Sequence, residues 1–159
     1  MLDANVLFAA STWPRFPYEV LQHAVAGDYI LVLTPRIIAE AREAILDIAP
    51  HAEGRLETAL DASEYEQVPT PEAQQIAAQY DLIRDPKDVH VALAAIQHQV
   101  DLLITQDRDF TDRDASTEKL HQQLTVMLPG TFLRLHMGWT SDQLEAIRRR
   151  NWRDLSESD

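Results

Sequence analysis

The 159-residue chain contains no cysteine. That excludes a disulfide framework, a thiolate metal site and a thiol nucleophile, so any metal chemistry must be carried by carboxylates. Glycine is scarce, at four residues. These four form neither the GxGxxG turn of dinucleotide-binding folds nor a phosphate-cradling P-loop. The six histidines show no HExxH-type spacing, and Ser11 and Ser63 lack the context of a nucleophile elbow. No apolar run approaches the roughly 18 residues that a membrane span requires. Met1-Leu2-Asp3 has neither the basic region nor the apolar core of a signal peptide. The expectation is a soluble, cytoplasmic protein without a membrane partner. Basic residues are also in the minority, with 14 Lys and Arg against 26 Asp and Glu and a formal charge of −12. Such a surface ordinarily repels a polyanion. The objection weakens where carboxylates gather divalent cations, because the ions bring positive charge to the place a phosphate must occupy.

A hydrophobic content of 45% in 159 residues is enough for one domain with a substantial core and too little for two. Leu2 to Phe8 reads as a short first strand in which Asp3 and Asn5, two apart, share a face. Val20, Leu21, Ala24 and Val25 then give a helical face that Gly27 stops. Tyr29 to Leu33 is a second buried strand, and Thr34-Pro35 starts a helix with Ile37, Ala41, Ala44 and Ile48 as its apolar stripe. Glu40 falls inside that stripe, where a carboxylate is costly unless it is paired, metal-bound or able to reach solvent or an arginine from the margin. Residues 52 to 62 predict a further helix, residues 64 to 68 a short edge strand, and Thr70-Pro71 a helix through Tyr80.

The stretch from Ile83 to Phe110 organises the rest. Asp85 is placed as an N-cap, Pro86 at the first helical position and Asp88 in the first turn, where the helix dipole favours a carboxylate. Val89, Ala92, Leu93 and Ile96 supply an apolar face. His90 reads as a polar helix residue, not a ligand. Val100 to Ile104 predicts a central parallel strand, which leaves Asp107 just past a strand's carboxyl end, the edge where open α/β sheets bind ligands. Residues 111 to 117 read as loop, 118 to 123 as a short helix, 125 to 128 as a last strand, and helices follow from Phe132 and Thr140. Strands alternating with helices predict a three-layer α/β/α fold with a mostly parallel sheet of four or five strands. The tail from Ser156 to Asp159 is expected to fray.

Asp3, Glu40, Asp88 and Asp107 come from four separated segments, each expected near one sheet edge. Phosphodiester hydrolysis needs an activated water and a counter to charge on the phosphate. Divalent ions held by carboxylates supply both, and Mg²⁺ or Mn²⁺ suits an all-oxygen donor set. A haloacid-dehalogenase-like phosphatase also places an aspartate after its first strand, but it needs a second aspartate two residues on, where this chain has Asn5.

In LDANVL, TPRIIAEAREAIL, DPKDVHVALAA, LLITQDRDF and VMLPGTFL the chain resembles the PIN-domain family, especially the VapC-like toxin ribonucleases. The resemblance covers roughly residues 1 to 136 as the nuclease domain and leaves 137 to 159 as a C-terminal helical extension. It implies Asp3, Glu40, Asp88 and Asp107 as the catalytic and metal-binding acids, with Asn5, Asp85, Thr105 and Asp109 as supports. It also implies a Mg²⁺- or Mn²⁺-dependent endoribonuclease acting on RNA, often a homodimer restrained by an antitoxin protein. Arg148, Arg149, Arg150, Trp152 and Arg153 form a basic and aromatic cluster able either to touch RNA or to act as one solvated helix face; Arg148, Arg149 and Trp152 are the candidate contacts. The alternative reading is a catalytically inactive PIN-like module that binds RNA or a partner protein.

Overall fold

Backbone pairing in the computed structural model, which describes residues 1–156, locates the sheet. Strand β1 (Val32–Leu33) runs parallel to β2 (Glu66–Gln67), and β3 (Leu103–Ile104) runs parallel to β4 (Val126–Met127). Leu2 adds a parallel bridge to Ile104, fixed by the Asp3 N–H donating to the Ile104 carbonyl and the Ile104 N–H donating to the Met1 carbonyl, each at 3.0 Å. The fold is α/β with every pairing parallel. Each expected strand contributes at least one paired residue, but the paired stretch is shorter than the segment predicted. The two pairs form separate ladders among the described residues.

The first strand departs most from expectation. Leu2 to Phe8 is not extended: helix α1 spans Ala4–Thr12. Asp3 causes the switch, because its Oδ1 accepts from the Ala4 N–H at 2.7 Å while its carbonyl accepts from the N–H groups of Val6 and Leu7. Val6, Leu7 and Ala10 then bury at helical spacing. Asp3 and Asn5 still share a side, but one ends a strand and the other lies in a helix's first turn.

Helix α2 (Phe16–Val25) ends before Gly27, whose φ of 82° is the left-handed conformation expected of a helix stop. Helix α3 (Pro35–Ile48) is capped by Thr34, whose hydroxyl accepts from the Ile37 N–H at 3.1 Å. Its buried stripe is Ile37, Ile38, Ala41 and Ile45; Ile48 is exposed and Ala44 only half-buried. The true stripe keeps Ile37 and Ala41 but takes Ile38 and Ile45 in place of Ala44 and Ile48, still at helical spacing. Helix α4 (Glu53–Ser63) buries Leu56, Ala59 and Leu60. Helix α5 (Ala73–Ala78) starts later than Thr70-Pro71 predicts, because Glu72 forms the capping box and the Thr70 hydroxyl accepts from the Arg36 N–H instead.

A 3₁₀ turn over Pro86–Asp88, capped by Asp85, leads into α6 (Val89–Gln97). Every residue of α6 from Val89 to Ala95 is buried, so this helix has no polar face along most of its length. After β3 comes α7 (Arg108–Thr111), a turn of helix within the segment read as strand end and loop. Helices α8 (Glu118–Gln123), α9 (Pro129–His136), α10 (Ser141–Ile147) and α11 (Trp152–Ser156) complete the chain. Helix α9 begins at Pro129, three residues before Phe132, since proline's fixed φ suits a first helical position. The expected fraying of 156–159 falls on residues outside the described ones, apart from Ser156, which ends α11.

Helices α1, α2, α3 and α4 pack on one another, α9 packs on α2, and α6 packs with α5. The core these layers enclose is aliphatic, with Leu2, Leu7, Leu33, Ile37, Leu103 and Ile104 fully buried and Phe110 sealing it beside Asp109. No helix among the described residues is long and apolar enough to cross a membrane.

Candidate metal centre at the carboxyl edge of the sheet

Asp3 follows Leu2 at the end of its bridge, and Thr105 follows Ile104 at the end of β3, so strand pairing places both at one edge. A three-residue polar lock forms there. The buried Thr105 hydroxyl donates to Asp3 Oδ2 at 2.9 Å and accepts from Asn5 Nδ2 at 3.3 Å and the Asp107 N–H at 3.1 Å. That uses the one donor and two lone pairs a hydroxyl possesses. Asn5 Nδ2 also donates to Asp3 Oδ2 at 3.2 Å, and its Oδ1 accepts from the Gln106 N–H at 3.2 Å. Asn5 and Thr105 therefore hold the Asp3 carboxylate and the Asp107 backbone in fixed relation.

Asp107 caps α7, its Oδ1 accepting from the Asp109 N–H at 2.9 Å. Asp85 caps the turn that carries Asp88, accepting from the Lys87 N–H at 3.0 Å. Asp85, Asp88 and Asp109 form an acidic trio in which one carboxylate oxygen from each lies within 4.8 Å of the others. Two of these three were expected only as supports. Asp88 thus belongs to this trio while also feeling the charges of Asp3 and Asp107.

Electrostatics record the crowding. Burial is the largest cause pushing the Asp88 carboxyl up, to about 7, and the charges of Asp3, Asp107 and Asp85 add to it. The Asp3 carboxyl, at 5% exposure, is raised chiefly by burial and further by Asp107 and Glu40, against the hydrogen bonds from Thr105 and Ala4. Glu40 comes from α3 and is 37% exposed at its side chain. Burial pushes its carboxyl up, but the His90 ring and the Arg36 guanidinium outweigh that and hold it below the ordinary range. Glu40 thus meets an arginine at the stripe margin, at 3.2 Å, and its charge also adds to the field at Asp3.

Two residues matter here that sequence reasoning passed over. His90 is not a solvated polar residue; it is fully buried, with Nε2 2.9 Å from Glu40 Oε1, although the contact is bent away from hydrogen-bond alignment, and Nδ1 has no partner among the described residues. A histidine inside an otherwise all-apolar helical run was the available signal. Arg84 lies 3.1 Å from Asp109 Oδ1 and donates to the Arg108 carbonyl and to Asp112 Oδ2 at 3.3 Å each, tying α7 to the rim of the trio.

The candidate RNA cluster splits. Arg148 and Arg149 are exposed. The Trp152 indole instead donates to the Thr12 carbonyl at 2.9 Å, with its ring 4.0 Å beneath the Arg55 guanidinium and 5.4 Å from Tyr18. Arg150 is likewise engaged, donating to the Pro14 carbonyl and Glu19 Oε1 at 2.6 Å each. A cleft of about 970 Å³ lies toward the opposite edge, lined by residues preceding β1 and β3 such as Tyr29, Ile30, Val100 and Leu102; none of the four acids lines it.

The donor set suits a hard divalent cation: oxygen ligands only, several of them ionisable, packed closely enough that their mutual repulsion favours a positive ion among them. Comparison with curated proteins and with solved structures finds no match. The family model for the PIN domain, however, matches residues 1–109, a span that contains the polar lock, the trio and all four acids. Covering more than half of the chain, and agreeing with the parallel α/β fold and the acidic edge, that match shows that the chain belongs to the PIN domain family.

Proposed function

We propose that this protein is a divalent-metal-dependent endoribonuclease that hydrolyses phosphodiester bonds in single-stranded or structured RNA, as the toxin of a toxin–antitoxin pair. The observation that carries the reading is the convergence of Asp3, Asp88 and Asp107, from three separated segments, on one sheet edge without a Lys or Arg paired to any of them among the described residues. In the proposed site Asp88 and Asp107 hold Mg²⁺ or Mn²⁺, Asp3 orients the set, and Glu40 completes it directly or through water. Asp85 and Asp109 extend the donor set on the other side of Asp88. The ion supplies Lewis-acid stabilisation of the phosphate and lowers the pKa of attacking water.

The chain's own residues do the rest. Thr105 and Asn5 keep Asp3 and Asp107 from swinging apart, the preorganisation that metal-centred hydrolysis needs. Arg84, at the rim beside Asp109, offers a cation for an incoming phosphate, and the exposed Arg148 and Arg149 are further candidate RNA contacts. A homodimer, an antitoxin that blocks the acidic edge, and residues 137–159 as an extension of the nuclease domain belong to the same proposal.

The test is cleavage of a labelled single-stranded RNA with Mn²⁺, with EDTA as control. Asp3→Asn and Asp107→Asn are expected to abolish cleavage in folded protein. Equal cleavage by these variants, or cleavage indifferent to EDTA, would overturn the metal mechanism; a folded parent that binds RNA without cleaving it would make RNA binding without catalysis the better account.

A further inference from the structure

We infer that His90 is a positioning residue: it holds the Glu40 carboxylate toward the acidic edge and thereby sets how tightly that edge takes a divalent cation. This rests on the metal-dependent reading above. Glu40 has two polar neighbours, one exposed and one buried, and both meet the same carboxylate oxygen, Oε1. Arg36 stands one turn earlier on the same helix, 3.2 Å away and 43% exposed at its side chain, on the solvent side. His90 reaches across from α6, 2.9 Å away and fully buried, on the inner side.

His90 has no other polar contact among the described residues, and its Nδ1 is buried without one. A buried imidazole on a helix whose residues from Val89 to Ala95 are all buried is unfavourable unless its polar edge has a partner, and Glu40 is what that edge meets. The bent contact is no obstacle, since the carboxylate's terminal torsion is broad and alignment needs only its rotation. His90 is also two residues from Asp88, so one helical segment carries a proposed ligand and the side chain that orients another. Without His90, Glu40 keeps only Arg36 and turns outward, and the edge loses one of its acids.

Outer partners that orient metal ligands typically carry about 10- to 100-fold in metal affinity or activity. The experiment measures Mn²⁺ affinity by electron paramagnetic resonance, together with kcat and KM on labelled RNA, for His90→Leu, His90→Gln, Glu40→Gln and the double variant His90→Leu/Glu40→Gln. His90→Leu fills the volume and removes the nitrogen; His90→Gln returns an N–H near the position of Nε2. Expected is a loss of about 10-fold or more in Mn²⁺ affinity and in kcat for His90→Leu, with KM for RNA within about 2-fold. His90→Gln should recover to within about 3-fold of the parent, and His90→Leu should add nothing in the Glu40→Gln background.

Parental Mn²⁺ affinity in folded His90→Leu overturns the inference, as does an equal further loss in the Glu40→Gln background. Should His90→Leu fail to fold, Glu40→Gln decides alone, because parental affinity there removes the residue through which His90 acts. A parent that binds no Mn²⁺ overturns the metal reading itself; a parent that binds it while His90→Leu matches it overturns only the role of His90.

Discussion

The acidic edge and the C-terminal latch use charge in opposite ways. At the edge, Asp3, Asp88 and Asp107 are drawn together, Asp3 buried and the other two half-buried, with no paired Lys or Arg among the described residues, and the carboxyls of Asp3 and Asp88 are pushed up by burial first and by neighbouring acids second. At the latch, Arg150 meets Glu19 at 2.6 Å with both side chains mostly buried, and Trp152 lies between Arg55 and Tyr18 with its N–H bonded. Every latch group named here has its complement within the chain; at the edge Asp3 and Asp107 have hydrogen-bond donors, but none of the three acids has a cation among the described residues. Crowded like charges are unfavourable without a counter-charge among them, and such clusters concentrate at functional sites. The latch is therefore read as stability and the edge as chemistry.

The comparison is sharpest if each region is broken separately. Removing a proposed metal ligand should cost more than the about 10- to 100-fold typical of its outer partners, so Asp107→Asn should lower RNA cleavage by more than about 100-fold. The melting temperature measured without metal should hold or rise, because one of several crowded like charges is gone. Arg150→Ala should do the reverse. Leaving the mostly buried Glu19 without its partner is expected to cost about 1–3 kcal/mol of stability while cleavage, assayed well below the melting temperature, stays within about 3-fold. A latch variant that abolished cleavage in folded protein would erase the distinction.

A smaller effect separates the regions by pH. Asp88 titrates near 7 in the folded protein against an ordinary 3.8. Between those values the folded state binds the extra proton, so metal-free stability should fall as pH rises from about 4 to 7, and the raised Asp3 carboxyl adds in the same direction. Glu40 is shifted the other way, and its contribution is lost only as pH drops below its ordinary 4.5. Melting curves at pH 5 and pH 8 should show this fall, Asp88→Asn should flatten it, and Mn²⁺ should stabilise more at pH 8 than at pH 5. A parent whose stability rose from pH 5 to pH 8 would contradict the crowding. The smallest expected change is at Asp101, an exposed acid outside the edge, where Asn substitution should leave cleavage within about 2-fold.

Much of this edge was legible before any coordinates. Asp3, Asp88 and Asp107 each sit at the junction of an apolar run and a helix start, and caps and strand ends are local signals that spacing reveals. Three features were not legible, for three physical reasons. The run after Asp3 suits helix and strand alike, and only the Asp3 cap decides it. His90 occupies a helix buried on all sides, a condition set by neighbours from distant segments and not by its own periodicity. Trp152 and Arg150 looked like ligands for RNA because a basic aromatic run carries no mark of the helices it will fold against; their partners, Thr12, Pro14 and Glu19, lie more than a hundred residues earlier.

The most direct test of the central claim is a calorimetric titration of Mn²⁺ into metal-free protein at pH 7.5. The account predicts saturable binding that Asp107→Asn eliminates, that Asp88→Asn weakens strongly, and that Arg150→Ala leaves unchanged. Absence of binding up to about 10 mM Mn²⁺, weaker than divalent-cation sites in proteins generally need, or equal binding by Asp107→Asn, would contradict it.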